Sequence, residues 1–183
     1  MPATTVPAAY VRARWAYSEL LSWGHGHLYQ GPGVQDLKEK LALKVPFDEL
    51  GTAERYLLID QFDRVRGKYF NRYIIGIPNF KPVIWSRDDL AAVYVIPYFV
   101  RDVSSIEHLK VTFRQWIEAD PVRPLHQDHA RYAAYAVAPL TRDDPMTVGH
   151  YSGLPVLLDG YHRAVRFWRT SVPAATLPVY VPV

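Results

Sequence analysis

The chain has 183 residues, of which 49% are hydrophobic and 14% aromatic, and its formal net charge is +3. This composition predicts a folded chain of one domain, or of a small domain with an elaboration, rather than a disordered one. Because there is no cysteine, disulfides, thiolate zinc sites and cysteine nucleophiles are excluded. Arginines outnumber lysines. The guanidinium fork suits phosphate, which hints at a phosphorylated partner, although a GC-rich genome produces the same bias.

The sequence shows no membrane or export signal. No apolar run approaches the roughly 18–20 residues that span a bilayer. The N-terminal residues lack the basic-then-apolar order of a secretory signal. We therefore expect a cytoplasmic protein without a membrane partner.

The N-terminal part is predicted to be largely helical. Apolar residues recur at helical spacing in three segments: 11–23, 34–43 and 52–67. Thr52 is the expected cap of the third helix, and Gly67 its expected end. Three short segments rich in β-branched and aromatic residues then predict strands or extended packing segments: 73–77, 81–85 and 93–96.

A soft boundary near residue 104 separates an N-terminal elaboration, 1–104, from a C-terminal core, 105–183. The alternation in 111–117 predicts a strand, and the Ala- and Tyr-rich segment 127–138 predicts a helix.

The last 40 residues carry the most informative pattern. Two apolar segments, 146–151 and 154–158, flank Ser152-Gly153, which is a two-residue connection typical of a tight β-hairpin. The second strand leads into Asp159-Gly160, and good helix formers follow. Segment 177–181 predicts a closing strand, whose prolines favour a sheet edge.

The pentapeptide Asp159-Gly160-Tyr161-His162-Arg163 predicts an anion site. A strand that ends in glycine and passes into a helix directs the first backbone N–H groups of that helix at one point. His162 and Arg163 add side-chain donors, while Asp159 can orient His162, hold a metal or transfer a proton. The alternative is an ordinary turn in which Asp159 caps the helix and Arg163 is solvated.

This context resembles the ParB/sulfiredoxin-like superfamily, in which a strand ends in Asp/Gly-Gly-x-His-Arg and the next helix turn clasps nucleotide phosphates. The match runs from 144 to 181. The resemblance implies an α+β fold with a small mixed-sheet core. It also implies a nucleoside triphosphate, ATP or CTP, with Mg²⁺. The implied ligand-binding residues are Gly160, Tyr161, His162, Arg163 and Arg166.

Departures from the family limit the resemblance. Without cysteine, sulfiredoxin repair is excluded. The second arginine-rich Gly-Glu-Arg-Arg motif and the helix-turn-helix of the chromosome-partitioning members are not found. A CTP-driven DNA clamp is therefore not expected, and the chain looks most like the divergent kinases and nucleases of the superfamily.

The catalytic candidates are Asp159, His162 and Glu118. Glu118, like Asp120, would end the strand predicted at 111–118 and could face the clasp as base or magnesium ligand, although a surface pair is the alternative. No metal ligand set is assigned.

Other polar clusters have both functional and ordinary interpretations. Three side chains, His126, Asp128 and His129, have a spacing that a metal site or a helix start would explain. Two histidines, His25 and His27, are expected in an exposed loop. A set of cations interleaved with aromatics predicts either a nucleic-acid surface or a solvated helix face: Arg64, Arg66, Lys68, Tyr69, Phe70, Arg72 and Tyr73. A basic stripe runs along the last helix through Arg163, Arg166 and Arg169.

The expected function is that of a nucleotide-binding phosphotransfer or nucleotide-hydrolysing enzyme, with a small-molecule acceptor bound by residues 1–104. The alternative is a DNA- or RNA-binding protein or a ParB-like nuclease. A third interpretation is an interaction module with a vestigial site.

Overall fold

The computed structural model of the chain describes residues 4–22, 25–74, 76–95, 111–119, 145–170 and 175–183. In these residues, helices accompany a six-stranded mixed sheet, which confirms the α+β class. The chain divides into two compact units, Pro2–Phe80 with Val183 and Lys81–Pro182. The boundary predicted near 104 lies outside the described residues, so the division into 1–104 and 105–183 stays a prediction.

The N-terminal unit is mainly helical. Its elements are β1 (Val6–Pro7), α1 (Ala8–Glu19), α2 (Val34–Ala42), α3 (Thr52–Phe62) and α4 (Lys68–Ile74), with a π-helical segment, Asp63–Gly67, between α3 and α4. Short 3-10 turns lie at Gly26–Leu28 and Phe47–Glu49. The three predicted helices are confirmed, and α1 packs against α3.

Two details of the third helix differ from the prediction. Its N-cap is Gly51, whose backbone N–H donates to the Glu54 carboxylate at 2.9 Å, so Thr52 is the first helical residue. Gly67 does not end the helical backbone, which continues to Ile74. The strand predicted at 73–77 is therefore wrong.

The helix persists because its apolar residues are spaced for burial. Phe70, Tyr73 and Ile74 are buried at positions i, i+3 and i+4. The Phe70 ring lies 4.7 Å from the ring of Trp15. Packing against α1 thus outweighs the β propensity of this segment.

The C-terminal unit contains most of the sheet. Its elements are β2 (Asn79–Trp85, which begins in the first unit), α5 (Arg87–Ala92), β3 (Tyr94–Val95), α6 (Phe113–Ala119), β4 (Met146–Tyr151), β5 (Leu154–Asp159), α7 (Tyr161–Thr170) and β6 (Leu177–Pro182). The sheet order is β1-β2-β6-β4-β5-β3. The strand at 81–85 is confirmed, as is the one at 93–96 over Tyr94–Val95.

The strand predicted at 111–117 is wrong, because this segment forms α6. Only Thr112 makes an isolated bridge, to Tyr94. Gln115 N–H then donates to the Thr112 hydroxyl at 3.3 Å, while the Gln115 side chain accepts from Thr112 N–H at 3.0 Å. This reciprocal cap starts a helix whose buried residues, Phe113, Trp116 and Ile117, follow the helical period.

The edge position predicted for the last strand is also wrong. β6 lies between β2 and β4, with Val179 and Tyr180 parallel to Met146 and Thr147. These pairing residues stand between the two prolines of the strand, and Val179 is fully buried. β6 is therefore a central strand, although its prolines alone favour an edge position.

No helix in the described residues is long and apolar enough to cross a bilayer.

Candidate functional site

The β4–β5 hairpin positions the predicted clasp. Its two turn residues, Ser152 and Gly153, have φ values of 50° and 78°, as a tight turn between twisted strands requires. The register pairs Thr147 with Asp159 and shifts between Thr147 and Val148. Asp159 therefore lies at the end of β5, opposite an irregularity in β4 of the kind that a β-bulge produces.

Gly160 makes the turn from β5 into α7. Its φ is +92°, a region that side chains other than glycine rarely adopt. A Cβ at this position would lie 2.5 Å from Cγ of Met146, which is fully buried. The Gly160 carbonyl accepts from Ala164 N–H at 2.8 Å, which is the first backbone bond of the helix. The glycine is thus required by backbone geometry and by close packing.

The Tyr161 side chain belongs to the core. Its hydroxyl donates to the Leu157 carbonyl at 2.7 Å, and its ring meets the edge of Trp116 at 5.8 Å. Ala164, Val165 and Phe167 continue the buried face of α7. A contribution of Tyr161 to an anion would therefore come from its backbone N–H.

Asp159 and Arg163 form an ion pair across the turn. Nη2 of Arg163 donates to Oδ2 of Asp159 at 2.9 Å, and the side chains are 19% and 20% exposed. His162 is half-buried in the same first turn. The structure thus places Asp159, Gly160, His162 and Arg163 on one strand–turn–helix, with the carboxylate already engaged by the guanidinium.

Glu118 is not brought to this turn. It lies on α6, two residues after Trp116, whose ring contacts Tyr161. Two helical residues correspond to a rotation of about 200°, so Glu118 faces away from that contact, and it is exposed. The geometric reason for naming it the base is lost with the predicted strand. Asp120 lies outside the described residues.

Additional arginines surround Trp168 on α7. The Arg87 guanidinium lies 4.4 Å from the ring centroid and that of Arg114 lies 5.8 Å from it. On the same helix, Arg166 is half-buried and Arg169 exposed. The sequence indicated arginines only along α7, and Arg87 and Arg114 are further arginines beside that helix. Arg114 also lies 3.5 Å from the Asp88 carboxylate.

Several cations of the predicted N-terminal nucleic-acid surface are engaged within the protein. Arg66 turns inward, and Arg64 donates to the carbonyls of Gln30 at 2.8 Å and Leu28 at 3.3 Å. Arg72 lies over the ring of Tyr73 at 4.8 Å. Lys68 is exposed, Phe70 is buried, and the side chain of Tyr69 lies outside the described residues.

A buried polar network in this unit was not predicted. Glu19 accepts from Tyr29 hydroxyl at 2.6 Å, from Trp15 Nε1 at 3.1 Å, and from both Nε and Nη2 of Arg66. Burial alone raises the pKa of Glu19. The hydrogen bonds and charge of Arg66, the Tyr29 hydroxyl and the charge of His25 outweigh this effect and hold the pKa below its ordinary value.

The same network raises the pKa of Tyr29, through burial and the adjacent Glu19 charge. With four donors on its two oxygens, Glu19 is saturated, and we interpret the network as structural. A sequence signal existed: a carboxylate among the buried aromatics of α1.

The remaining metal-site candidates lie partly outside the described residues. His126, Asp128 and His129, together with the helix predicted at 127–138, lie outside the described residues. His27 is exposed, as predicted, and His25 is half-buried. Within the described residues, no three His, Asp or Glu side chains cluster closely enough to hold a metal ion.

Comparisons with protein-family models, with curated proteins and with solved structures found no significant match. The relationship to the ParB/sulfiredoxin-like superfamily therefore stays a prediction.

Proposed function

We propose that this protein binds a nucleotide and transfers or hydrolyses its terminal phosphoryl group, with the strand–turn–helix at 159–163 as the phosphate clasp. The observation that carries the proposal is that Gly160, His162 and Arg163 lie next to one another at the start of a ten-residue helix. Ala164 N–H makes the first bond of the helix, to the Gly160 carbonyl. Tyr161, His162 and Arg163 form the turn before it, where backbone N–H groups point toward the N-terminal end of a helix. That end carries the positive pole of the helix dipole.

Each group has a distinct proposed task. The backbone N–H groups and Arg163 hold the phosphate oxygens, and Arg163 contributes the directional donors that suit a tetrahedral anion. His162 donates to the phosphate or moves a proton. Asp159, whose carboxylate contacts Arg163 at 2.9 Å, acts as base or metal ligand.

A magnesium ion fits this donor set only in part. Mg²⁺ bound to a nucleotide commonly uses one or two carboxylates together with phosphate oxygens and water, and Asp159 can supply one. When bound, the ion would neutralise charge on the phosphates. Nucleotides of this kind are abundant in the cytoplasm, which is the location that the proposal implies.

Nucleic-acid binding is the second candidate function. It is favoured by Arg163, Arg166 and Arg169 on α7 and by the arginines near Trp168. In that case the clasp would hold a backbone phosphate, and affinity would fall steeply with salt.

Thermal unfolding with ligands separates the two functions. ATP, CTP, ADP, GTP and a short DNA duplex are added separately, each with and without Mg²⁺. A ligand at about 100 times its Kd adds about 2.7 kcal/mol, or roughly 5–10 °C for a chain of this size. We expect a nucleotide-specific rise in Tm that Arg163→Ala abolishes.

Arg12→Ala is the matched control, because Arg12 is paired with Asp63 at 2.9 Å in the N-terminal unit. It should keep the nucleotide response. A response to DNA alone, suppressed by added salt, would favour nucleic-acid binding. No shift with any ligand would refute both functions.

A further inference from the structure

Asp159 and Arg163 form an ion pair, although the proposed function assigns Arg163 to phosphate binding and Asp159 to base or metal-ligand chemistry. Asp159 ends β5 and Arg163 lies in the first turn of α7, and their side chains meet at 2.9 Å. A phosphate bound through Nη2 of Arg163 would take the N–H donor, and the positive charge, that this carboxylate now uses. The carboxylate and the phosphate are therefore direct competitors.

We propose that Asp159 autoinhibits the clasp by occupying Arg163 until a phosphate group displaces it. This inference rests on the proposed function, because the displacing group is the phosphate of the nucleotide. In the exchange, Nη2 of Arg163 passes from a carboxylate oxygen to a phosphate oxygen. The carboxylate thereby loses its contact with the Arg163 guanidinium, so ligand binding and the separation of this ion pair are one event.

The burial of the pair fits such an exchange. Solvent reaches about one fifth of each side chain, 20% for Asp159 and 19% for Arg163. A pair that water reaches is cheaper to separate than a fully desolvated one. The Glu19–Arg66 pair is the contrast, since its side chains are only 11% and 13% exposed.

The test measures binding of inorganic pyrophosphate by calorimetry in EDTA, so that no metal contributes. The proteins are wild type, Asp159→Asn, Arg163→Ala and the double variant, with ADP as a second probe. We expect Asp159→Asn to bind pyrophosphate about tenfold more tightly, within the range of ordinary coupling between sites. In the Arg163→Ala background, the same substitution should change affinity by less than about twofold, because the competition acts through Arg163.

Asp63→Asn is the matched control, since it neutralises a carboxylate paired with an arginine in the other unit and should leave pyrophosphate affinity unchanged. Thermal melting without ligand verifies folding, and Asp159→Ser replaces the Asn variant if that one does not fold.

Three results would overturn the inference in distinguishable ways. If wild type binds pyrophosphate through Arg163 but Asp159→Asn binds equally or more weakly, autoinhibition fails and the proposed function survives. If the gain persists without Arg163, the carboxylate acts by general repulsion instead of by occupying the guanidinium. If neither wild type nor Asp159→Asn binds pyrophosphate or ADP in EDTA, the inference fails, and the thermal-unfolding series with Mg²⁺ then decides the proposed function separately.

Discussion

Replacing Gly160 with alanine should destabilise the protein by about 2–5 kcal/mol, through two separable costs. The first is the backbone, because φ is +92° and a left-handed conformation costs an L-residue about 1–2 kcal/mol. The second is packing, because the new Cβ would lie 2.5 Å from Cγ of the buried Met146. Overpacking of a core typically costs about 1–3 kcal/mol.

Gly153→Ala is the control for the backbone cost. Gly153 has a φ of +78°, and a Cβ there would meet nothing within 4 Å. This variant should lose only about 1–2 kcal/mol. The free energy of unfolding is measured for both variants by urea titration, followed by circular dichroism and tryptophan fluorescence. The difference between the two losses isolates the contact with Met146.

Equal losses in the two variants would refute the packing argument, because Met146 would then move aside without cost. A second measurement examines the contact itself. In a Met146→Ala background, the additional loss caused by Gly160→Ala should fall toward that of Gly153→Ala, because only the contact with the Cβ of residue 146, at 3.1 Å, remains. If it does not, the strain at Gly160 comes from the backbone alone.

Glu19→Gln should destabilise by about 3 kcal/mol, because it leaves the buried Arg66 guanidinium without its counter-charge; the urea midpoint measures this. The pKa of Glu19 is lowered in the folded state, so its stabilising contribution is complete above the unfolded value of 4.5 and is lost as pH falls through the folded pKa. Wild type should therefore lose stability on acidification more steeply than Glu19→Gln, and parallel profiles would contradict this. Ser152→Asn should stabilise by about 0.5 kcal/mol in the same assay, because Asn tolerates the φ of 50° better than Ser; a lower midpoint would contradict the turn assignment.

The C-terminal hairpin and the turn into α7 could be predicted because their signals are local. Ser152-Gly153 fixes the turn, and Gly160 marks the passage from strand to helix. The segment 111–117 was predicted incorrectly because its apolar residues fit both periods. Two features stabilise the helix over a strand: the cap formed by Thr112 and Gln115, and the burial of one helical face.

Contacts between side chains could likewise be predicted only where the two residues are close in sequence. Asp159 and Arg163 meet because positions i and i+4 adjoin across a helix start. Glu19 and Arg66 are 47 residues apart, and no local pattern joins them. Arg66 also lies in the π-helical segment Asp63–Gly67. A π-helix has more residues per turn than an α-helix, so a period of about 3.6 residues assigns Arg66 to the wrong face.

Gly160 supports the phosphate clasp less strongly than its place in the motif suggests. Its positive φ and its contact with Met146 require glycine whether or not an anion binds. Loss of nucleotide binding in Gly160→Ala would therefore reflect lost stability as much as a lost ligand contact. Arg163 is different, because it lies in regular helix, where alanine fits the backbone without strain, so Arg163→Ala removes the side-chain donor without the conformational cost of Gly160→Ala. A nucleotide response that disappears in Arg163→Ala, in a protein that still unfolds at nearly the wild-type temperature, is therefore the result that would identify the clasp.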